Sequence, residues 1–147
     1  MPNRKAILVA DDSLEDAFIL KRAFEKAGLA VPLQFVRDGQ ELIDYLSGAD
    51  GFSDRKNHPM PRLVLLDLKM PKLNGFDVLR WLQKQPKLRR LIITVLSSSD
   101  ESDDVNLAYD LGANSYVVKP GSLSGYAHIV EKMRDYWLEV NRPPDLG

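Results

Sequence analysis

Hydrophobic residues are grouped in five short runs separated by amphipathic stretches. Ala6-Ile7-Leu8-Val9-Ala10 and Leu63 to Leu66 are unbroken, as is most of Leu91 to Leu96. Runs of this length suit strands buried on both faces of a parallel sheet. Val31 to Arg37 alternates only weakly and carries Pro32 near its start, which predicts an edge strand. Ser115 to Val118 completes the set of five.

The intervening stretches predict helices. Ser13 is an N-cap candidate, with Glu15 and Asp16 in the first turn, where the helix dipole favours negative charge. Phe18, Ile19, Arg22, Phe24 and Ala27 continue that helix, and Gly28 stops it. A short helix over Glu41 to Leu46 follows the Asp38-Gly39 turn. Phe76, Val78, Leu79, Trp81 and Leu82 carry a third, which Pro86 ends. Glu101 to Leu111 reads as a polar helix capped by Ser99 or Asp100 and closed by Gly112. Leu123 to Val140 is the last helix. Gly48 to Pro61 reads as an exposed loop, longer than such a connection needs. Strand then helix, repeated five times, predicts an α/β fold: a doubly wound parallel sheet with helices on both faces. One domain spanning 1–147 is expected, with its core over 5–140 and no output domain.

Composition narrows the chemistry. With 20 Lys and Arg against 21 Asp and Glu, the net charge of -1 argues against direct nucleic-acid or anionic-membrane binding. No cysteine is present, so thiolate nucleophiles and Cys-ligated zinc are excluded. The two histidines, His58 and His128, lie in different elements and read as surface residues. No run is long enough for a signal-peptide core or a membrane span, so a cytoplasmic location is expected.

Four of the predicted strands end in chemically useful residues: Asp11-Asp12, Asp67, Ser97 and Lys119. In a parallel sheet these ends share one edge, where α/β folds bind ligands. Clustered carboxylates repel one another unless a cation sits among them. All-oxygen donors point to Mg²⁺, with Mn²⁺ as an alternative. The cation and Lys119 would hold a phosphoryl group against Asp67, and Ser97 would donate to a phosphoryl oxygen.

These residues resemble the receiver domains of two-component response regulators. The acid pair Asp11-Asp12, the Asp67-x-x-Met70-Pro71-x-x-x-Gly75 turn, the strand-ending Ser97 and the Lys119-Pro120 dipeptide stand in that family's order. The spacing also fits, with 30 residues from Asp67 to Ser97 and 22 from Ser97 to Lys119. The resemblance runs from Lys5 to Val140.

It implies a flavodoxin-like sheet of order 2-1-3-4-5 and phosphorylation at Asp67 by a sensor histidine kinase. Asp12 is implied as the direct metal ligand, Asp11 as a near or water-mediated one, with Asp67 and the Lys69 backbone carbonyl completing the protein's share. Ser97 and Lys119 contact the phosphoryl group, Tyr116 is the signalling aromatic, and the bond before Pro120 is cis. The output is a change in the face of fourth helix, fifth strand and fifth helix, a common pairing face of receivers. The long 48–61 stretch and the Tyr136-Trp137-Leu138-Glu139-Val140-Asn141 ending are similar to single-domain regulators that pair with bacterial phytochromes. Ser97-Ser98-Ser99, where such regulators often carry Thr, is a departure that bears on the lifetime of the phosphoryl state.

Each feature has a plainer reading. Asp11-Asp12 can end a strand and feed a helix cap, Asp67 can be a solvated turn residue, and Tyr116 can be packing. The basic run Lys84 to Arg90 reads as a solvated loop. The last helix, near ~27 Å long, outruns strands of ~17 Å. Tyr136, Trp137, Leu138 and Val140 are therefore expected to lack cover and to form a homodimer interface, or else to fold back on the domain's base. Two rivals remain. One is a Mg²⁺-dependent phosphohydrolase with an Asp nucleophile, which needs a second acid two residues on, where this chain has Lys69. The other is an interaction module that is never phosphorylated.

Overall fold

The computed structural model describes residues 6–146 except 30 and 50, so Lys5 and Asp50 lie outside the described residues. Five parallel strands form one sheet: β1 (Ala6–Ala10), β2 (Leu33–Val36), β3 (Pro61–Leu66), β4 (Ile93–Ser97) and β5 (Ser115–Val118). Their order is β2-β1-β3-β4-β5, which puts β2 at an edge. The helices are α1 (Leu14–Lys26), α2 (Gly39–Ser47), α3 (Gly75–Gln83), α4 (Ser102–Asp110) and α5 (Leu123–Met133).

Alternate strand residues feed opposite layers. Leu8, Val64, Leu66 and Val95 pack with Leu42 and Tyr45 of α2 and Leu79 of α3. Ile7, Val9, Leu63 and Leu65 pack with Leu20 and Phe24 of α1 and Val130 of α5. Each fully buried Leu or Ile contributes about 1.5–3 kcal/mol of hydrophobic stabilisation, so both layers hold the β1 and β3 ends at fixed heights.

Ser13 caps α1 as the sequence predicts, and two further helix starts carry caps. The Ser13 side chain accepts from the Asp16 amide, and Asp38 caps α2 in the same way through the Glu41 amide. Asn74 and Asp77 form a reciprocal capping box at the start of α3. At Gly75 an added Cβ would lie 2.6 Å from the Asp67 carbonyl oxygen and 2.9 Å from Leu68 Cα. That position admits only glycine, and the close approach seats α3 against the turn after β3.

Four expectations are corrected. The last helix is not uniform, because α5 ends at Met133 and Arg134–Val140 continues as a wider π-helical segment. Trp137 and Leu138 there pack against the α1/α5 core layer, whereas Tyr136 is 51% and Val140 72% exposed. The fourth strand starts later than Leu91, because a 3-10 turn over Leu88–Arg90 precedes it. The cap of α4 is Glu101, and it makes no side-chain capping bond.

The fourth correction concerns the 48–61 stretch, which is organised and not simply exposed. Arg55 Nη1 donates to the carbonyls of Tyr45 (2.7 Å) and His58 (3.3 Å), and Nη2 donates to that of Leu46 (3.0 Å). Tyr45, Phe52 and His58 form an aromatic cluster with centroids 5.0–5.8 Å apart, so His58 is partly buried and not a surface residue. The tail also folds back. Arg62 and Arg90 donate to the carbonyls of Asn141 and Asp145, and Leu146 packs on the α2/α3 core layer.

Candidate functional site

Backbone bonds hold the strand ends just past the sheet. The Asp11 amide donates to Val36 O, the Asp67 amide to Ala10 O and the Lys119 amide to Ser97 O, all at 2.7–3.0 Å. Asp11 and Asp67 therefore stand on neighbouring strands of the carboxyl edge, and Lys119 follows the end of β5 on the far side of β4. Asp11 and Asp67 are buried, at 7% and 6% exposure, while Asp12 is exposed. Carboxylate oxygens of these three acids lie within 4.8 Å of one another.

Lys119 Nζ lies 2.8 Å from Asp11 Oδ2, 2.8 Å from Asp16 Oδ2 and 3.3 Å from Asp67 Oδ2. The electrostatics follow. Burial pushes the Asp67 carboxyl up to about 6; the Lys119 charge opposes this and the Asp11 charge adds to it. Burial alone would lower the Lys119 pKa, but the hydrogen bonds to Asp11 and Asp16 and the charges of Asp11 and Asp67 raise it instead. One ammonium does not satisfy this group of acids. Crowded all-oxygen donors with an exposed member suit a hard divalent cation that keeps open positions. Asp11 is already engaged at both oxygens, through Oδ1 by the Ser13 amide and through Oδ2 by Lys119. Asp12 is the freest donor, and Asp67 is held only by longer contacts, from the Lys69 amide at 3.4 Å and from Lys119 at 3.3 Å. Asp12 opens onto a cleft also lined by Lys69, Met70, Phe76 and Asp104.

A family model described as the response regulator receiver domain matches residues 7–131. The chain belongs to this family. It is a receiver of two-component phosphorelay signalling. The receiver is 37% identical to the probable methanogenesis regulatory protein FilR2 of Methanothrix harundinacea over 138 residues, covering 94% of this chain and 86% of FilR2. It superposes on the phosphorylated cyanobacterial phytochrome response regulator RcpA with a TM-score of 0.88, at 32% identity, covering 97% of this chain and 99% of RcpA. It also matches the Mn²⁺-bound form of Rcp1 of Synechocystis at TM-score 0.85 and 31% identity, covering 96% and 99% of the two chains.

The structure places carboxylate oxygens of Asp11, Asp12 and Asp67 within 4.8 Å of one another, with Lys119 against Asp11 and Asp67. Ser97 ends β4 between Asp67 and Lys119 in the sheet order and is fully buried. In this receiver its Oγ accepts from the Ser99 amide at 3.2 Å. The Lys69 amide faces Asp67 Oδ1 at 3.4 Å. Tyr116 is partly buried, and its hydroxyl donates to Ser99 O at 2.7 Å.

The Lys119–Pro120 bond is a correction, since no cis peptide occurs among the described residues. Trans is the lower isomer of an X-Pro bond by about 0.5–1 kcal/mol, and in that form Lys119 already reaches its carboxylates.

Sequence reasoning missed two acids. The helix dipole accounts for an acid at position 16, yet the Asp16 side chain turns to Lys119. Asp104 accepts from Ser99 Oγ at 2.6 Å and so ties the β4–α4 loop to α4. The Ser99-to-Asp104 spacing across a helix start was the available signal for the second. For Asp16 none existed before the strand order was known.

Proposed function

We propose that Asp67 accepts a phosphoryl group from the phosphohistidine of a sensor histidine kinase, with Mg²⁺ or Mn²⁺ required. A buried carboxylate beside an ammonium and two further acids carries this reading. An Asp67 oxygen attacks phosphorus, the P–O bond forms, the P–N bond to imidazole breaks, and the imidazole leaves with a proton. Lys119 stabilises charge on the transferring oxygens, and the Ser97 hydroxyl donates to one of them. Asp11, Asp12, Asp67 and the Lys69 carbonyl would hold the cation, which supplies further charge neutralisation when bound. The Mn²⁺-bound form of Rcp1 and the phosphorylated form of RcpA support the cation and the modification.

The receiver acts as a switch and not as an enzyme turning over a metabolite. Lys69, standing where a phosphohydrolase needs its second acid, supports this. Its readout is the face of α4, β5 and α5, linked to the site through Tyr116 and Ser99. A cytoplasmic location goes with a kinase partner; no helix among the described residues is long and apolar enough to cross a membrane. Kinship with RcpA supports a phytochrome-type kinase, whereas FilR2 is named for methanogenesis, so that finer reading rests on RcpA. Homodimerisation through this face is supported by exposed Tyr109, Val118, Leu123, Tyr136 and Val140. Strictly monomeric sedimentation at all concentrations would contradict it.

Incubation with acetyl phosphate and Mg²⁺ tests the acceptor. The wild type gains one phosphoryl mass, and chelating the cation abolishes the gain. An equal gain in Asp67→Asn would overturn the assignment.

A further inference from the structure

Asp16 sits in the first turn of α1 and is not one of the three acids whose oxygens gather within 4.8 Å of one another. The dipole accounts for an acid at this position, but not for where its carboxylate points. Oδ2 accepts from Lys119 Nζ at 2.8 Å, shorter than the 3.3 Å between that nitrogen and the acceptor Asp67. The contact spans 103 residues of chain and joins α1 to the end of β5. Tyr126 of α5 is buried beside it, and its hydroxyl is pushed up to about 12 by burial and then by the charge of Asp16.

An ammonium has three N–H donors, and here three carboxylates, those of Asp11, Asp16 and Asp67, crowd it within 3.3 Å. A phosphoryl group on Asp67 brings anionic oxygens that need the same donors. One contact must then yield. Asp11 is fixed by the Ser13 amide and by its own backbone bond to Val36. Asp67 carries the incoming group. The Asp16 side chain is 32% exposed and can be taken up by water at small cost.

We propose that Asp16 is a positioning residue that holds Lys119 in the unphosphorylated receiver and competes with the phosphoryl group for it. This rests on Asp67 being the acceptor. Loading the site opens the Asp16–Lys119 contact, and the first turn of α1 thereby responds to phosphorylation.

Fluoroberyllate, a stable phosphoryl mimic, tests the competition without turnover. It is titrated with Mg²⁺ into the wild type, Asp16→Asn, Asp16→Ala and Glu15→Gln, and followed by amide NMR, which also reports folding. Glu15 is an exposed acid on the same turn, so its variant removes a charge without touching Lys119. Asp16→Asn and Asp16→Ala should bind about five-fold more tightly than wild type, the size of a partly exposed ion pair, and Glu15→Gln should match wild type. Unchanged or weaker binding in both Asp16 variants would overturn the inference, as would equal tightening in Glu15→Gln. Failure of the wild type itself to bind would overturn the acceptor reading and this inference with it.

Discussion

Lys119 and Arg55 are both partly buried cations, and each meets three oxygen acceptors, Lys119 from α1 and the ends of β1 and β3, Arg55 from the end of α2 and its own loop. The acceptors differ. Arg55 faces neutral carbonyls of Tyr45, Leu46 and His58, two of them at the end of α2, where helical carbonyls lack partners. Its planar fork bonds them from two nitrogens and its charge suits the helix C-terminus. That arrangement is complete. Lys119 faces carboxylates, with Asp12 close by, and negative charge remains in excess even with the ammonium present. The first constellation fastens a loop. The second is left short of positive charge, as the proposed phosphoryl acceptance with a divalent cation requires.

Substitutions at the two cations separate these roles. Lys119→Met should have the largest effect, slowing phosphoryl acceptance from acetyl phosphate by about 100-fold. It should also destabilise the cation-free protein by about 3 kcal/mol in urea unfolding, because Asp11 and Asp67 lose their counter-charge. Wild-type acceptance in that variant would place Lys119 on the structural side of the comparison.

Asp67→Asn should move stability the other way. The folded pKa of Asp67 is raised from 3.8 to about 6. A raised acid contributes stability below its unfolded value, and that contribution is lost as pH rises through the folded value. Without divalent cation, Asp67→Asn should therefore be more stable than wild type at pH 7 by about 2 kcal/mol, and the gap should close below about pH 4. Urea melts at the two pH values measure it, and a gap independent of pH would contradict the crowding of charge at this edge.

Arg55→Ala should cost about 1–2 kcal/mol by leaving carbonyls unpaired, with acceptance from acetyl phosphate unchanged. Arg55→Lys should recover only part, since one nitrogen cannot span the three carbonyls. A fall in acceptance would join the two regions that the comparison separates.

Much of the site was legible because strand ends in a parallel sheet converge. Asp11, Asp12, Asp67 and Lys119 each follow an apolar run, and topology does the rest. The strand and helix sequence was legible for the same reason, since Leu63 to Leu66 and its neighbours can be satisfied only in a covered sheet. Side chains that reach across elements were not legible. Asp16 meets Lys119 over 103 residues, and Arg55 organises a segment whose composition reads as loop. Nor was the change to a wider helix at Arg134, since no Gly or Pro lies between Tyr126 and Arg142 to mark it. There the packing of Trp137 and Leu138 on the core has no signature in local sequence.

The most direct measurement is to locate the phosphoryl group. Protein treated with acetyl phosphate and Mg²⁺ is reduced with borohydride, which converts an aspartyl phosphate to homoserine, and its peptides are sequenced by mass spectrometry. Homoserine at position 67 and at no other acid is the predicted result. Homoserine at Asp11, Asp12 or Asp16, or unmodified aspartate throughout, would contradict the account.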